Sequence, residues 1–196
     1  MDIDAAQLTI PPRPVAAVVF ATAPALPDDH RDEAIARDLY ALGVATIRVP
    51  LLTVGELMTP LRSDAEVLAD RFILLTQWIR TKREVAGIPI ALAASSCAAA
   101  GAIIAAAQQP QLASAVVAID GRTDLAVDVL RELRTPTLLL VRDMPVLRMN
   151  REALAMMRCE RRLEIVHEGS DALATKCVNW LADKFALVPA DAYGMV

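Results

Sequence analysis

Short runs of apolar residues alternate along the chain with longer segments in which apolar residues recur every three or four positions. The short runs are continuous, which is typical of parallel strands that helices cover on both faces. The longer segments have the spacing of helices that bury one face. We therefore predict that strands and helices alternate, with strands at 15–20, 44–49, 89–94, 114–119, 136–141 and 162–167.

The predicted helices fall between and after these strands, at about 28–42, 63–85, 98–109, 126–133, 150–158 and 172–185. Gly43 is expected to end the first helix, because glycine readily takes the left-handed conformation at a helix C-terminus. Ser63, with Glu66 three residues later, predicts a capping box at the start of the second. Together the pattern predicts an α/β protein, a three-layer α/β/α sandwich around a mostly parallel sheet of about six to seven strands.

Length and composition agree with this fold class. The 196 residues fit one domain, with a core at about 14–185 and a tail at 186–196. The segment between Val49 and Ser63 is too short to form a lid domain. Apolar residues make up 55% of the chain and charged residues 22%, which excludes a disordered chain.

Charge and hydropathy narrow the expected partners and compartment. The formal net charge is −4 with both signs interspersed, so no nucleic-acid surface is expected. No uncharged run approaches the roughly 18 residues of a membrane-spanning helix, and the first ten residues lack the basic start of a secretory signal. Three cysteines without a CxxC pair suit a reduced compartment, so we expect a cytoplasmic protein. With two histidines in the chain, we expect no metal and no cofactor.

The most informative stretch of the sequence lies between Ile88 and Asp124 and reads IPIALAASSCAAAGAIIAAAQQPQLASAVVAIDGRTD. It resembles the nucleophile-elbow region of the dienelactone-hydrolase-like branch of the α/β hydrolases. Downstream, TPTLLLVRDMPVLRMNREAL and RRLEIVHEGSDALATKCVNWLADKF resemble the acid-bearing strand and the histidine-bearing end of that family. The resemblance covers the order and spacing of elements from Pro14 to Phe185. It implies a minimal α/β-hydrolase fold without a lid and, if the chain is active, hydrolysis of a carboxylic ester.

Members of this family carry a G-x-S-x-G motif at the elbow. Matching the strand and helix without gaps puts Ser96 at the nucleophile position, with Ala94 and Ala98 in place of the two glycines. A second register makes Cys97 the nucleophile, as in thiol members of the group. The plainer interpretations are that Ser96 caps the helix and that Cys97 is a small buried apolar residue.

The resemblance implies that Asp143 is the acid, since it follows the matching strand. The family's histidine should lie in the loop after the last strand, and Asp171 stands at that position here. A carboxylate is a poor substitute for imidazole as a general base near neutral pH. His167 lies about four residues upstream and is the alternative base. The plainer interpretation makes Asp143 and Asp171 capping carboxylates and His167 a strand-end histidine.

The family's loop after the first strand usually contains glycines that donate a backbone N–H to the oxyanion. The equivalent segment, 21–27, contains two prolines, which have no N–H. The sequence thus predicts a degenerate catalytic site, inactive or very weakly active, on a protein that binds a small apolar ligand or a protein partner. The alternative is a small serine esterase or thioesterase that uses Ser96, His167 and Asp143. The sequence is also compatible with a homo-oligomer.

Overall fold

The computed structural model describes residues 6–22, 30–166 and 170–187. Their strands form one seven-stranded sheet in the order β1-β3-β2-β4-β5-β6-β7. Strand β1 pairs antiparallel with β3, and the other neighbouring pairs are parallel. The strands are β1 (Gln7–Thr9), β2 (Ala16–Thr22), β3 (Val44–Pro50), β4 (Ile90–Ser95), β5 (Ala115–Ile119), β6 (Thr137–Val141) and β7 (Arg161–Ile165).

Helices cover both faces of this sheet. They are α1 (His30–Ala41), α2 (Val54–Leu57), α3 (Ala65–Arg80), α4 (Ser96–Gln108), α5 (Met144–Met156) and α6 (Ser170–Lys184), with 3-10 turns at Pro60–Ser63, Arg83–Val85 and Thr123–Val129. One apolar cluster joins α1 and α6 to one face, and a second joins α3, α4 and α5 to the other. The predicted three-layer α/β/α sandwich with a mostly parallel sheet is confirmed.

Alternation along the strands supplies both apolar clusters. In β2, Val18 and Phe20 point towards α1 and α6, whereas Ala17 and Val19 point towards α3 and α4. Because both faces are covered, nearly every strand residue from β2 to β6 is buried, as the continuous apolar runs predicted. Within the described part of the chain, no helix is long and apolar enough to cross a membrane.

Several predicted helix boundaries differ from those in the structure. The capping box predicted at Ser63 is wrong, because the turn from Pro60 ends with Ser63 donating its hydroxyl hydrogen to the Pro60 carbonyl. Asp64 caps α3 instead, accepting from the Val67 N–H at 3.2 Å. The second predicted helix ends at Arg80 rather than near 85, and α5 begins at Met144 rather than 150. Strand β1 and helix α2 had no sequence signal strong enough to be predicted.

Helices α3 and α4 are in close contact at Gly101. A Cβ added there would lie 2.7 Å from the Leu68 Cβ and 3.0 Å from the Leu68 carbonyl carbon. Neither atom can move without shifting α3, because Leu68 is itself buried. Gly101 therefore sets the spacing of the two helices that carry the elbow and the wall of the cavity described below.

We expect Gly101→Ala to lower the free energy of unfolding by about 1–3 kcal/mol, the usual cost of forcing an atom into a packed core. Urea denaturation at constant m-value measures the change. Gly55→Ala in α2 is the matched control, since no described heavy atom lies within 4 Å of its added Cβ. Equal stabilities for the two variants would show that α3 and α4 are not in contact at Gly101.

Candidate active site

Strand β4 leads directly into helix α4, with no loop between Ser95 and Ser96. The reversal is achieved at Ser96, whose φ is +53°, a left-handed conformation that serine rarely adopts. The side chain of Ser96 is exposed at the tip of this turn, while Ala94 just before it is buried. The geometry is that of a nucleophile elbow, which holds a side chain out of a sharp strand-to-helix turn.

The serines at this turn do not cap the helix with their side chains. Ser95 is the N-cap residue, and within the described residues its side chain makes no capping hydrogen bond. Ser96 is already the first helical residue, and its hydroxyl contacts the Cys97 Sγ at 3.9 Å. The first N–H groups of α4 have no partner within the helix, so the positive end of the helix dipole is available at the elbow.

A cavity of about 190 Å³ opens beside Ser96. Its walls come from the end of β2, the segment 51–62, α3 and the elbow. Among the described lining residues, only Arg62 is charged, and it is exposed. The described lining residues are Ala21, Leu51, Leu52, Leu57, Arg62, Leu68, Ser95, Ser96, Cys97 and Ala98.

Cys97, the alternative nucleophile, is half-buried and lines the same cavity. The other two cysteines, Cys159 and Cys177, are buried elsewhere in the core. The nearby Arg122 forms a bidentate pair with Asp124, with its Nε 2.9 Å and its Nη2 2.7 Å from the two carboxylate oxygens. This pairing with Asp124 raises the pKa of Arg122, with a minor contribution from Cys97. Arg122 therefore interacts mainly with the Asp124 carboxylate and only weakly with the Cys97 thiol.

Asp143 follows β6 and is the N-cap residue of α5, with an exposed side chain. In the described part of the chain, its carboxylate makes no capping hydrogen bond. Its backbone N–H is instead held at 3.1 Å by the carboxylate of Asp120, which follows β5. Asp120 also accepts from the Arg142 N–H at 2.7 Å and from the Arg142 Nε at 2.8 Å.

Asp120 therefore fixes the loop that carries the predicted acid. It has a φ of +46°, and the next residues of its loop reach the elbow, because the Arg122 N–H donates to the Ser96 carbonyl at 3.1 Å. Burial raises the pKa of Asp120, but the hydrogen bonds from Arg142 and Asp143 outweigh it, so this pKa lies below its usual value. Sequence reasoning missed this residue, although an Asp-Gly pair directly after a buried strand was the available signal.

The predicted bases lie at or beyond the limits of the described structure. Strand β7 ends at Ile165 and α6 begins at Ser170, so His167 falls in the connection at this sheet edge, outside the described residues. Asp171 belongs to the first turn of α6 and not to a loop, and its side chain is also outside the described set. The same holds for residues 23–27 of the predicted oxyanion segment. Their roles remain predictions.

The described acidic, thiol and imidazole side chains form no group that could hold a metal ion. The candidate site thus consists of a serine on a strained elbow, the N-terminus of α4, an apolar cavity and a second loop that braces the elbow.

Fold and elbow together define an α/β hydrolase, and comparison with solved structures narrows the class. Dienelactone hydrolase from Anabaena variabilis is 30% identical, with a TM-score of 0.82 over 91% of this chain and 90% of that one. The chain belongs to the dienelactone-hydrolase branch of the α/β hydrolases. Est1E from Butyrivibrio proteoclasticus, at 12% identity and a TM-score of 0.74 over 92% and 94% of the two chains, shares the fold. No protein-family model matches the chain.

Two curated relatives from Mycobacterium tuberculosis, in strains CDC 1551 and H37Rv, are 36% identical over 166 residues. They carry the names "Putative phosphoribosyl transferase MT0597" and "Putative phosphoribosyl transferase Rv0571c". The match takes in 83% of this chain but 38% of each relative. Those names therefore describe proteins much longer than the matched region.

We expect Asp120→Asn to lower the free energy of unfolding by about 1–3 kcal/mol at pH 7, because charged hydrogen bonds to two backbone N–H groups are weakened. Asparagine tolerates a positive φ, so backbone strain is not added. Since the folded-state pKa of Asp120 is lowered, its contribution is complete above the ordinary value of 3.8 and is lost as the pH falls through the lower folded-state pKa. The difference between the two proteins should therefore shrink in acid.

Urea denaturation between pH 7 and pH 3 measures this effect. Asp124→Asn is the control, because Asp124 and Arg122 form a partly exposed pair, worth about 1 kcal/mol or less. An Asp120→Asn variant as stable as the Asp124→Asn variant at pH 7 would contradict a bracing role for Asp120.

Proposed function

We propose that this chain binds a small apolar ligand with a carbonyl oxygen at the Ser96 elbow, and that it hydrolyses esters there slowly or not at all. One observation carries the proposal: the leucine-lined cavity opens onto Ser96 and the uncapped first turn of α4.

The cavity selects a small apolar group. Four leucines line it, and its volume of about 190 Å³ is below the usual range of drug-sized pockets, about 300–1,000 Å³. An engineered apolar cavity of about 150 Å³ in another protein holds benzene. A ligand portion of about six carbon atoms is therefore the expected occupant.

The elbow selects an oxygen acceptor at the ligand's polar end. The N–H groups of the first turn of α4 and the positive end of its dipole favour a partly negative oxygen. The Ser96 hydroxyl can donate to the same oxygen. The exposed side chain of Arg62 makes no hydrogen bond or ion pair with the described residues, so an acyl ligand with a terminal carboxylate would gain further attraction.

Slow turnover is expected from the sequence. Neither of the two histidines, His30 and His167, stands at the position of the family's catalytic histidine, where this chain has Asp171. Alanines replace both glycines of the elbow motif. Prolines in the segment after β2 remove potential oxyanion donors, and loss of one such donor costs about 10²–10³ in turnover. Each departure lowers the rate of acyl transfer without preventing the binding of a carbonyl compound.

A second function, ester hydrolysis by Ser96, is favoured by the conformation of that residue. A serine in place of glycine at φ +53° costs about 1–3 kcal/mol, and such strain is typical of functional positions. In this alternative, Ser96 Oγ attacks the ester carbonyl, and His167 takes its proton and returns it to the leaving alcohol. Water then attacks the acyl-serine with His167 as base, releasing the acid and restoring Ser96. Asp143 would orient the imidazole.

The phosphoribosyl transferase activity in the names of the mycobacterial relatives does not enter this proposal. The matched region is 38% of those proteins, and its counterpart here folds as an α/β hydrolase.

Binding is tested by the alkylation of Cys97 with iodoacetamide in the presence of increasing hexanamide, followed by intact-protein mass spectrometry. Hexanamide should slow modification of Cys97 to a saturating limit, because the ligand and the thiol share the cavity. Arg62→Gln should leave protection by hexanamide unchanged and weaken protection by the dianion of adipic acid. If no concentration of hexanamide slows the modification of Cys97, the proposal is contradicted.

Hydrolysis is tested with p-nitrophenyl hexanoate. The proposal expects the rate of Ser96→Ala to equal that of the wild-type protein or to lie only slightly below it, with Ser114→Ala, an exposed serine outside the cavity, as control. A fall on the order of 10³-fold or more in both Ser96→Ala and His167→Ala, but not in His30→Ala, would establish the esterase instead.

A further inference from the structure

The outer wall of the cavity is formed by a segment that is held by apolar packing at its start and by polar contacts further along. This wall segment comprises residues 51–62, between β3 and α3. Its helix α2 has four residues, all described, and none of them is buried. Val54 and Met58 are 64% and 86% exposed. A single helical turn without a buried face is not stable by itself, so other interactions must position it.

One guanidinium adds polar connections to the apolar contacts that Leu51, Leu52 and Leu57 make with the core. Arg71, on α3, donates from Nη1 to the Leu51 carbonyl at 2.6 Å and to Glu56 Oε2 at 3.0 Å. Its Nη2 donates to Glu56 Oε1 at 2.6 Å. The Arg71 side chain is 16% exposed and the Glu56 side chain 25%, so the pair is partly shielded from water. A bidentate pair of this kind fixes orientation as well as distance.

The same carboxylate also organises the start of α2. Glu56 Oε2 accepts from the Thr53 N–H at 2.8 Å and from the Thr53 hydroxyl at 3.0 Å, and the Glu56 N–H donates back to Thr53 Oγ1. The hydrogen bonds of Arg71 lower the pKa of Glu56 most, followed by that from the Thr53 N–H, so its pKa lies far below the usual value. The carboxylate is therefore charged at neutral pH. Thr53, Glu56 and Arg71 form one unit, here called the wall clamp.

The wall clamp is joined to three residues that line the cavity. Leu51 supplies the carbonyl that Arg71 binds, Leu57 directly follows Glu56, and Leu68 lies one helical turn before Arg71 on α3. The Arg71 side chain thus ties the wall segment to α3 beside these leucines. Displacement of the wall segment would widen the cavity between these leucines.

We propose that the wall clamp sets the width of the cavity, and that Arg71 thereby determines the size of ligand that reaches Ser96. Arg71 is a positioning residue, since it does not itself line the cavity. The ligand part of this inference rests on the proposed function, whereas the cavity width rests on the clamp geometry alone. The two parts can therefore be tested separately.

Cys97 provides a readout of cavity width that needs no ligand. It is the half-buried cysteine of the three in the sequence and lines the cavity, while Cys159 and Cys177 are buried in the core. The experiment compares the rates at which Cys97 reacts with N-methylmaleimide and with the much larger fluorescein-5-maleimide. The ratio of the two rates cancels changes in the reactivity of the thiol itself and reports the access that reagents of different size have to it.

Arg71→Met keeps an unbranched apolar stem but removes all three hydrogen bonds of the guanidinium. We expect the rate with fluorescein-5-maleimide to rise about tenfold, through local opening of the wall segment, while the rate with N-methylmaleimide changes little. Glu56→Gln should move the ratio in the same direction by less, because it keeps an acceptor for Arg71. It also serves as the second variant if Arg71→Met does not fold.

Arg80→Met is the matched control. Arg80 lies on the same helix and also donates to backbone carbonyls, those of Gln111 and Leu112, at 3.3 and 3.1 Å. These bonds do not involve residues that line the cavity. The Arg80→Met variant should therefore leave the maleimide ratio unchanged, even if it lowers the thermal midpoint as much as Arg71→Met does.

The outcomes separate the clamp from the proposed function. An unchanged ratio in folded Arg71→Met and Glu56→Gln, or an equal rise in Arg80→Met, would overturn the clamp. A raised ratio confined to the clamp variants supports it, even if hexanamide protects Cys97 in no variant, a result that would contradict only the proposed function. If both hold, decanamide should protect Cys97 in Arg71→Met better than in the wild-type protein.

Discussion

The direct junction of β4 and α4 is the constraint on which the site depends. With no loop between Ser95 and Ser96, the chain reverses within one residue, and the positive φ of Ser96 follows from that. Small residues crowd around the turn, and a Cβ on Gly121 would lie 3.1 Å from that of Ala99. The loop after β5 braces the elbow through the bond from the Arg122 N–H to the Ser96 carbonyl, and Asp120 joins that loop to the start of α5.

Much of the fold could be predicted because its main signal is local. Continuous apolar runs mark buried parallel strands, and the structure has β2 to β7 within two residues of the predicted positions. The error at the capping box occurred where two local signals competed. Ser63 has the spacing of a capping box, but the preceding Thr59-Pro60 pair starts a 3-10 turn that ends there. The box forms instead at Thr53 and Glu56, because Arg71, 15 residues further along the chain, holds the same carboxylate.

The candidate site likewise has a part that local sequence predicts and a part that depends on long-range contacts. Ser96 could be located because its place depends only on its distance from the end of β4, and the structure puts it on a strained elbow beside a cavity. The contact of Asp120 with the Arg142 and Asp143 N–H groups spans more than twenty residues and requires β5 and β6 to be neighbours. No sequence pattern records such a contact. The wall clamp could not be predicted for the same reason, since Glu56 and Arg71 meet only after the wall segment folds back on α3.

A sharp elbow alone is not evidence of chemistry, since the fold requires that backbone whether or not a reaction occurs. Glycine would occupy a φ of +53° without strain. Asp120, the other left-handed residue described at this edge, offsets its strain with hydrogen bonds to Arg142 and Asp143. The Ser96 side chain makes no comparable hydrogen bonds, because the bond described for its hydroxyl is a 3.9 Å contact with a thiol. Under the function proposed above, a ligand oxygen bound by the exposed hydroxyl would offset this strain.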